Sequence, residues 1–130
     1  MPNDPAHVNG PAFVGLAVRD CARSAEFYEH VLGLRRDPEV FPGGAVGFQT
    51  TPIPFGVSPL PPGAGLDEHP SGGMRLWLKA NDTRAVYEKL LAAGATIISP
   101  PGPGPIGGRF GTQLTFADPD GYAIIVYDRD

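Results

Sequence analysis

Two aspartates 62 positions apart, Asp20 and Asp82, each follow a short apolar run and open a stretch of helical periodicity, and this repetition restricts the possible folds more than any other feature. Before Asp20 stands Phe13-Val14-Gly15-Leu16-Ala17-Val18, a continuous apolar strand. After it Ala25, Tyr28, Val31 and Leu32 recur at threes and fours, and Gly33 supplies a C-terminal stop. Before Asp82 stands Met74-Arg75-Leu76-Trp77-Leu78-Lys79; after it Val86, Leu90 and Ala93 share one helix face, and Gly94 ends the helix. Each half continues into short strands punctuated by glycine and proline: Arg35–Phe41, Ala45–Thr50 and Phe55–Pro59, then Thr96–Ser99, Thr112–Phe116 and Tyr122–Tyr127. The turn Asp118-Pro119-Asp120-Gly121 precedes the last of them, its two carboxylates read as shaping the turn rather than as an acid/base pair. The economical reading is an α+β fold made by duplicating a βαβββ unit. A loose tail covers 1–10, the first unit 11–60, a linker 61–73 and the second unit 74–128, all within one compact domain.

Composition excludes several partners. The 18 glycines and 16 prolines invite a suspicion of disorder, but the 42% hydrophobic content is gathered into runs with the prolines between them, as punctuated strands require. A formal net charge of -4 without any Lys/Arg cluster argues against nucleic acid and against an anionic membrane surface. No apolar stretch approaches the length of a membrane span, and the opening residues Met1-Pro2-Asn3-Asp4-Pro5 are unlike a signal peptide, so a soluble cytoplasmic protein is expected. The lone Cys21 falls at a helix start, where the helix N-terminus can lower a thiol pKa, yet no neighbour resembles an activating base. Gly102-Pro103-Gly104-Pro105-Ile106-Gly107 formally matches GxGxxG, but its prolines remove the N–H donors a phosphate needs and no helix follows.

Three clusters of residues carry a resemblance that covers about 12–128: Val18-Arg19-Asp20 followed by Ser24-Ala25-Glu26-Phe27-Tyr28, then Leu32-Gly33-Leu34, and finally Asp118-Pro119-Asp120-Gly121-Tyr122. With these the chain resembles the vicinal oxygen chelate superfamily, which includes glyoxalase I, extradiol dioxygenases, fosfomycin resistance enzymes and bleomycin resistance proteins. The resemblance implies two βαβββ units curled into a half-open barrel around a pocket that a second chain of a homodimer completes. In its metal-dependent members the resemblance places ligands on the pocket face of the first and last strands. The corresponding positions here are Phe13, seven residues before Asp20, Arg75, seven before Asp82, and Ile125, four after Gly121. None offers the imidazole, carboxylate or thiolate lone pair that Zn, Mn or Fe sites use, and a guanidinium repels a dication. No metal and no cofactor is therefore expected. His7, His30 and His69 lie off these strands and read as solvated side chains.

Strand alternation sorts what remains: Phe13, Gly15 and Ala17 on one face, Val14, Leu16 and Val18 on the other, beneath the helices. Arg75, Trp77 and Lys79 oppose Met74, Leu76 and Leu78, and Ala123, Ile125 and Tyr127 oppose Ile124 and Val126. With the pocket face taken from the resemblance, the lining is Phe13, Trp77, Ile125 and Tyr127 with Arg75 as a fixed positive charge, extended by Phe48, Phe55, Arg109 and Phe110. Trp77 equally suits a core position, and Arg75 an ion pair across a dimer. An aromatic cleft of this kind fits a planar ligand by stacking, an arginine meeting its carbonyl, phenolate or carboxylate. The expectation is a metal-independent protein, similar to the bleomycin resistance proteins, that sequesters an aromatic or polycyclic natural product or antibiotic and does no chemistry on it. The alternatives are a lyase, isomerase or oxygenase of the same superfamily, or an accessory domain without a ligand.

Overall fold

The computed structural model describes residues 5–6, 11–60, 76–103 and 111–128; the 61–73 linker, most of the 1–10 tail, Arg75, Arg109, Phe110, His7 and His69 lie outside them. The first unit runs β1 (Val14–Val18), α1 (Cys21–Glu26) continued by a π-helical turn (Phe27–Val31), β2 (Val46–Phe48) and β3 (Phe55–Pro59). The second runs β4 (Leu76–Lys79), α2 (Thr83–Ala92), β5 (Thr96–Gly102), β6 (Gln113–Ala117) and β7 (Ala123–Tyr127). The strand orders are β1-β3-β2 and β4-β7-β6-β5. In both units the first strand lies parallel to the last, β1 on β3 and β4 on β7, so the duplication seen in the sequence is also a duplication of sheet topology.

The two copies differ where proline intervenes. The strand expected over Arg35–Phe41 is reduced to a single bridge, Arg36 opposite Phe48. Two bonds hold it, Asp37 N–H to the Gly47 carbonyl and Gln49 N–H to the Arg35 carbonyl, each 2.8 Å. Beyond that the Asp37 carboxylate accepts the Glu39 N–H at 2.9 Å and turns the chain, while Pro38 and Pro42 lack the N–H a ladder would need. In the second unit the difference is the reverse. The strand expected to end at Ser99 continues through Pro100–Gly102 with two register shifts, which prolines tolerate because β5 is an edge strand.

Both helices start where the aspartates indicate. Asp20 accepts the Arg23 N–H at 3.1 Å, and Asp82 accepts those of Arg84 and Ala85 at 3.0 and 3.3 Å. The remaining free donor of the first turn of α2, the Thr83 N–H, is taken at 3.0 Å by Asp128, whose other oxygen accepts the Thr112 N–H at 3.1 Å. The hydrogen bond from Thr83, with that from Thr112, holds the Asp128 carboxyl below the usual carboxylate range against a smaller opposing effect of burial. A depressed carboxyl contributes stability above the unfolded value, near 4, and loses it as pH falls through the folded value. Asp128→Asn is accordingly expected to lower Tm at pH 6 and to show a shallower fall in Tm between pH 5 and pH 2.5 than the parent, read by circular dichroism. An unchanged acid slope would mean that Asp128 is not coupled to the fold.

Val18, Ala25, Tyr28, Phe48, Phe55 and Val57 form one core cluster, and Leu90, Leu114, Phe116, Ile124 and Val126 the other. Phe27, Leu32, Leu76 and Tyr122 pack against both. The π turn, with Leu32 N–H bonded to the Phe27 carbonyl five residues back at 3.2 Å, lets one short helix reach the two clusters.

The turn at Asp118 fastens the units together. Asp118 Oδ1 accepts the N–H groups of Asp120 and Tyr122 at 3.0 and 2.9 Å, closing the turn, and Oδ2 accepts the Tyr28 hydroxyl at 2.6 Å. Asp120 Oδ1 accepts the Arg19 N–H at 2.9 Å and its guanidinium at 3.2 Å, while Oδ2 accepts the Ser24 hydroxyl at 3.0 Å. The Tyr122 hydroxyl donates back to the Ala17 carbonyl at 2.7 Å. The two carboxylates are thus occupied in holding the second unit's turn against β1 and α1.

Candidate functional site

The helix-facing residues of each strand are those that alternation assigns: Val14, Leu16 and Val18 on β1, Leu76 and Leu78 on β4, Ile124 and Val126 on β7. Two separate features lie on their opposite faces, over which no helix of the described residues runs.

On the first sheet, Gly15 pairs with Gly56 and Gly56 with Gly47, so three glycines stand in one row across β1, β3 and β2. The row is a floor of bare backbone on which aromatic rings rest. A Cβ on Gly15 would stand 2.8 Å from Phe13 Cε1, one on Gly56 2.9 Å from Phe13 Cζ, and one on Gly47 3.1 Å from Phe41 Cε2. Phe13 is nonetheless 56% exposed. Beside these rings opens a cavity of about 220 Å³ lined by Phe13, Gly15, Phe41, Ala45, Val46, Gly47, Gly56, Val57 and Ser58.

On the second sheet, pairing sets out two rows. Trp77 stands opposite Ile125 and Ile125 opposite Thr115, while Lys79 stands opposite Tyr127 and Tyr127 opposite Gln113. The Trp77 and Tyr127 rings meet edge to face with centroids 6.0 Å apart. Trp77 is 40% exposed, which rules out the core position.

Two residues expected in the lining are elsewhere. Phe48 and Phe55 are buried under α1, their rings 5.9 Å apart and that of Phe55 4.9 Å from Tyr28. Each occupies the strand position next to a row glycine, and alternation turns it to the helix side. Phe13 lines the cavity, and Trp77, Tyr127 and the buried Ile125 share the face of the second sheet opposite its core cluster. Arg75, Arg109 and Phe110 fall outside the described residues. Sequence reasoning missed Phe41, given to the end of a strand, and the glycine row, of which only Gly15 was noted. The available signal was a glycine between apolar residues in both Val46-Gly47-Phe48 and Phe55-Gly56-Val57. Gln113 was missed as well.

For metal chemistry the described residues hold no group of three or more His, Cys, Asp or Glu side chains within reach of one ion. The side chains of Phe13 and Ile125, the positions at which the resemblance implies ligands, carry no donor atom. At Cys21, which no activating base accompanies, burial and then the Asp20 and Asp120 carboxylates push the thiol pKa up, against the lowering a helix N-terminus can supply. His30 is exposed beside Glu26 and Glu29, at 3.7 and 3.6 Å. No helix among the described residues is long and apolar enough to cross a membrane.

Two sheets, each with its first strand parallel to its last and each unit carrying one helix after its first strand, define a protein built on a duplicated βαβββ unit. The chain belongs to the Glyoxalase/Bleomycin resistance protein/Dioxygenase superfamily, whose family model matches residues 6–126. Its fold is shared by a glyoxalase-related enzyme from Fulvimarina pelagi (22% identity, 93% of this chain and 88% of that one, TM-score 0.74). It is shared also by TnmS3, an antibiotic binding protein from Streptomyces sp. CB03234 (20% identity, 95% and 98%, TM-score 0.70). The fosfomycin resistance protein FosX from Mesorhizobium loti is similar too (19% identity, 94% and 93%, TM-score 0.65). No curated protein matches the chain in sequence. Proteins that share this fold thus include one described as an enzyme and one described as an antibiotic binding protein.

Proposed function

We propose that this protein binds an aromatic or polycyclic small molecule, a natural product or antibiotic, without metal and without altering it. The observation that carries this reading is the cavity at Phe13. Where a metal-dependent relative needs a ligand atom, this chain has an exposed phenyl ring beside an apolar space of about 220 Å³ floored by backbone. A flat ring system can stack on Phe13 or Phe41 and lie against the glycine row, burying apolar area at about 25 cal/mol per Å². The likeness to an antibiotic binding protein supports the reading at the level of fold. The exposed Trp77–Tyr127 face supplies a second aromatic wall, and a homodimer that sets it over a partner's Phe13 cavity would complete one enclosed cleft from two half-sites.

The test is titration of metal-stripped protein with a panel of aromatic antibiotics, following fluorescence of Trp77, the single tryptophan, with each ligand recovered afterwards and light scattering used to set the oligomeric state. Saturable quenching by a dimer with the ligand returned intact is the expected result. A chemically altered ligand, or activity restored only by added metal, would make the protein an enzyme of the superfamily instead.

A further inference from the structure

We infer that Gln113 is the polar specificity determinant of the second sheet's open face, its amide oxygen accepting a hydrogen bond from an N–H or O–H of the bound molecule. This deepens the binding function proposed above and rests on it.

The argument begins with position. Leu114 and Phe116 of β6 are core residues, so alternation turns Gln113 and Thr115 to the open face. There Gln113 stands in register with Tyr127, and through it with Lys79, one row from Trp77, Ile125 and Thr115. Gln113 is only 8% exposed, and its Oε1 is buried with no hydrogen-bond partner among the described residues. A buried acceptor left unpaired is a standing cost that folding alone gives no reason to keep, since a leucine would fill similar volume without it. The other buried polar side chains with a described role, Ser24, Thr83, Asp118 and Asp120, all have partners: the Asp120 carboxylate, the Thr112 carbonyl, and the donors around the turn. The Gln113 Oε1 is the exception, and its residue stands opposite the half-buried Tyr127, one row from the exposed Trp77. A ligand stacked on Trp77 that carries a donor at its edge would satisfy the amide, and a ligand of the same shape without one would leave it unpaired. Discrimination by a buried polar group works in this way, because the wrong ligand forfeits the bond and strands the partner.

The test uses two probes of equal ring system, 2-naphthol with an O–H and 2-methoxynaphthalene without one. Binding is read from the indole 15N–1H resonance of Trp77 in the full chain, for the parent and for Gln113→Leu. The parent is expected to bind 2-naphthol about ten-fold more tightly or better, a difference of about 1.4 kcal/mol. In Gln113→Leu that preference disappears while 2-methoxynaphthalene still binds, and Tm rises by a few degrees as the unpaired acceptor is removed. A preference retained in Gln113→Leu, no preference in the parent, or a Tm that falls would overturn the inference alone and leave the binding face standing. Failure of both probes to move the Trp77 resonance in the parent would overturn the face as a binding surface and the inference with it.

Discussion

Replacing Asp118 with alanine should cost about 3 kcal/mol or more, the largest loss expected from any single side chain in the turn. Three donors lose their acceptor at once: the Tyr28 hydroxyl and the N–H groups of Asp120 and Tyr122. Leaving a buried donor unpaired costs about 1–3 kcal/mol each, and a domain's whole stability is on the order of 5–15 kcal/mol. The loss is read as a drop in the urea midpoint at unchanged m-value. Asp118→Asn is expected to be much milder. Its amide oxygen can keep the two turn N–H groups, and its NH₂ can donate to the Tyr28 oxygen. Burial also pushes the Asp118 carboxyl up, against the opposing hydrogen bonds from Tyr28, Tyr122 and Asp120, so removing the charge relieves a cost. A raised folded value means that protonation of Asp118 favours the folded state, a contribution fully present below the usual carboxylate value and lost as pH rises through the folded value. An alanine variant as stable as the parent would show that the clasp between the two units contributes nothing.

The second large effect concerns the glycine row. Gly56→Val should destabilise by about 1–3 kcal/mol and weaken the tightest ligand of the antibiotic panel at least ten-fold. A Cβ at Gly56 meets the Val46 carbonyl at 2.9 Å as well as Phe13 Cζ, and the carbonyl belongs to a paired strand that cannot step aside. Gly15→Ala is the informative contrast. The three atoms nearest its Cβ all belong to the Phe13 ring, the end of a side chain that can swing, so stability should change little while the position of Phe13 over the cavity shifts. Normal ligand affinity in a folded Gly56→Val protein would remove the first-sheet cavity from the site and leave only the Trp77 face.

These two predictions rest on features of unequal visibility. The Asp118-Pro119-Asp120-Gly121 turn was legible because its residue types dictate a local conformation, and the structure adds only where its free oxygens go: to Tyr28 and Ser24, ninety and more positions away in sequence. The glycine row was not legible as a row. Each glycine is visible alone, but their alignment depends on the pairing registers of β1, β3 and β2, which arise from non-local contacts. Phe48 and Phe55 illustrate the same limit. Alternation says that each shares a face with every second residue, and their assignment to the cleft failed because nothing local tells which face α1 will cover. Phe13 and Trp77 were placed through the family resemblance rather than through periodicity. Arg35–Phe41 failed as a strand for another reason, since Pro38 and the turn made by the Asp37 side chain prevail once a ladder has only two bonds to gain.

The amino-acid sequence by itself determined the duplicated unit, both helix starts at Asp20 and Asp82, the helix stops at Gly33 and Gly94 with φ of +76° and +73°, the helix-facing residues of β1, β4 and β7, and the absence of metal-binding atoms at Phe13, Arg75 and Ile125. Each of these depends on a side chain's own chemistry or on a period of two or about 3.6 residues, and both are local. Only the tertiary structure decided that Phe48 and Phe55 belong to the core, that Gly15, Gly56 and Gly47 align in one row beneath the Phe13 and Phe41 rings, and that the Gln113 Oε1 is buried with no hydrogen-bond partner among the described residues. Those outcomes turn on which strands pair, in which register, and on which side the helices settle, and a chain read one residue at a time does not contain them.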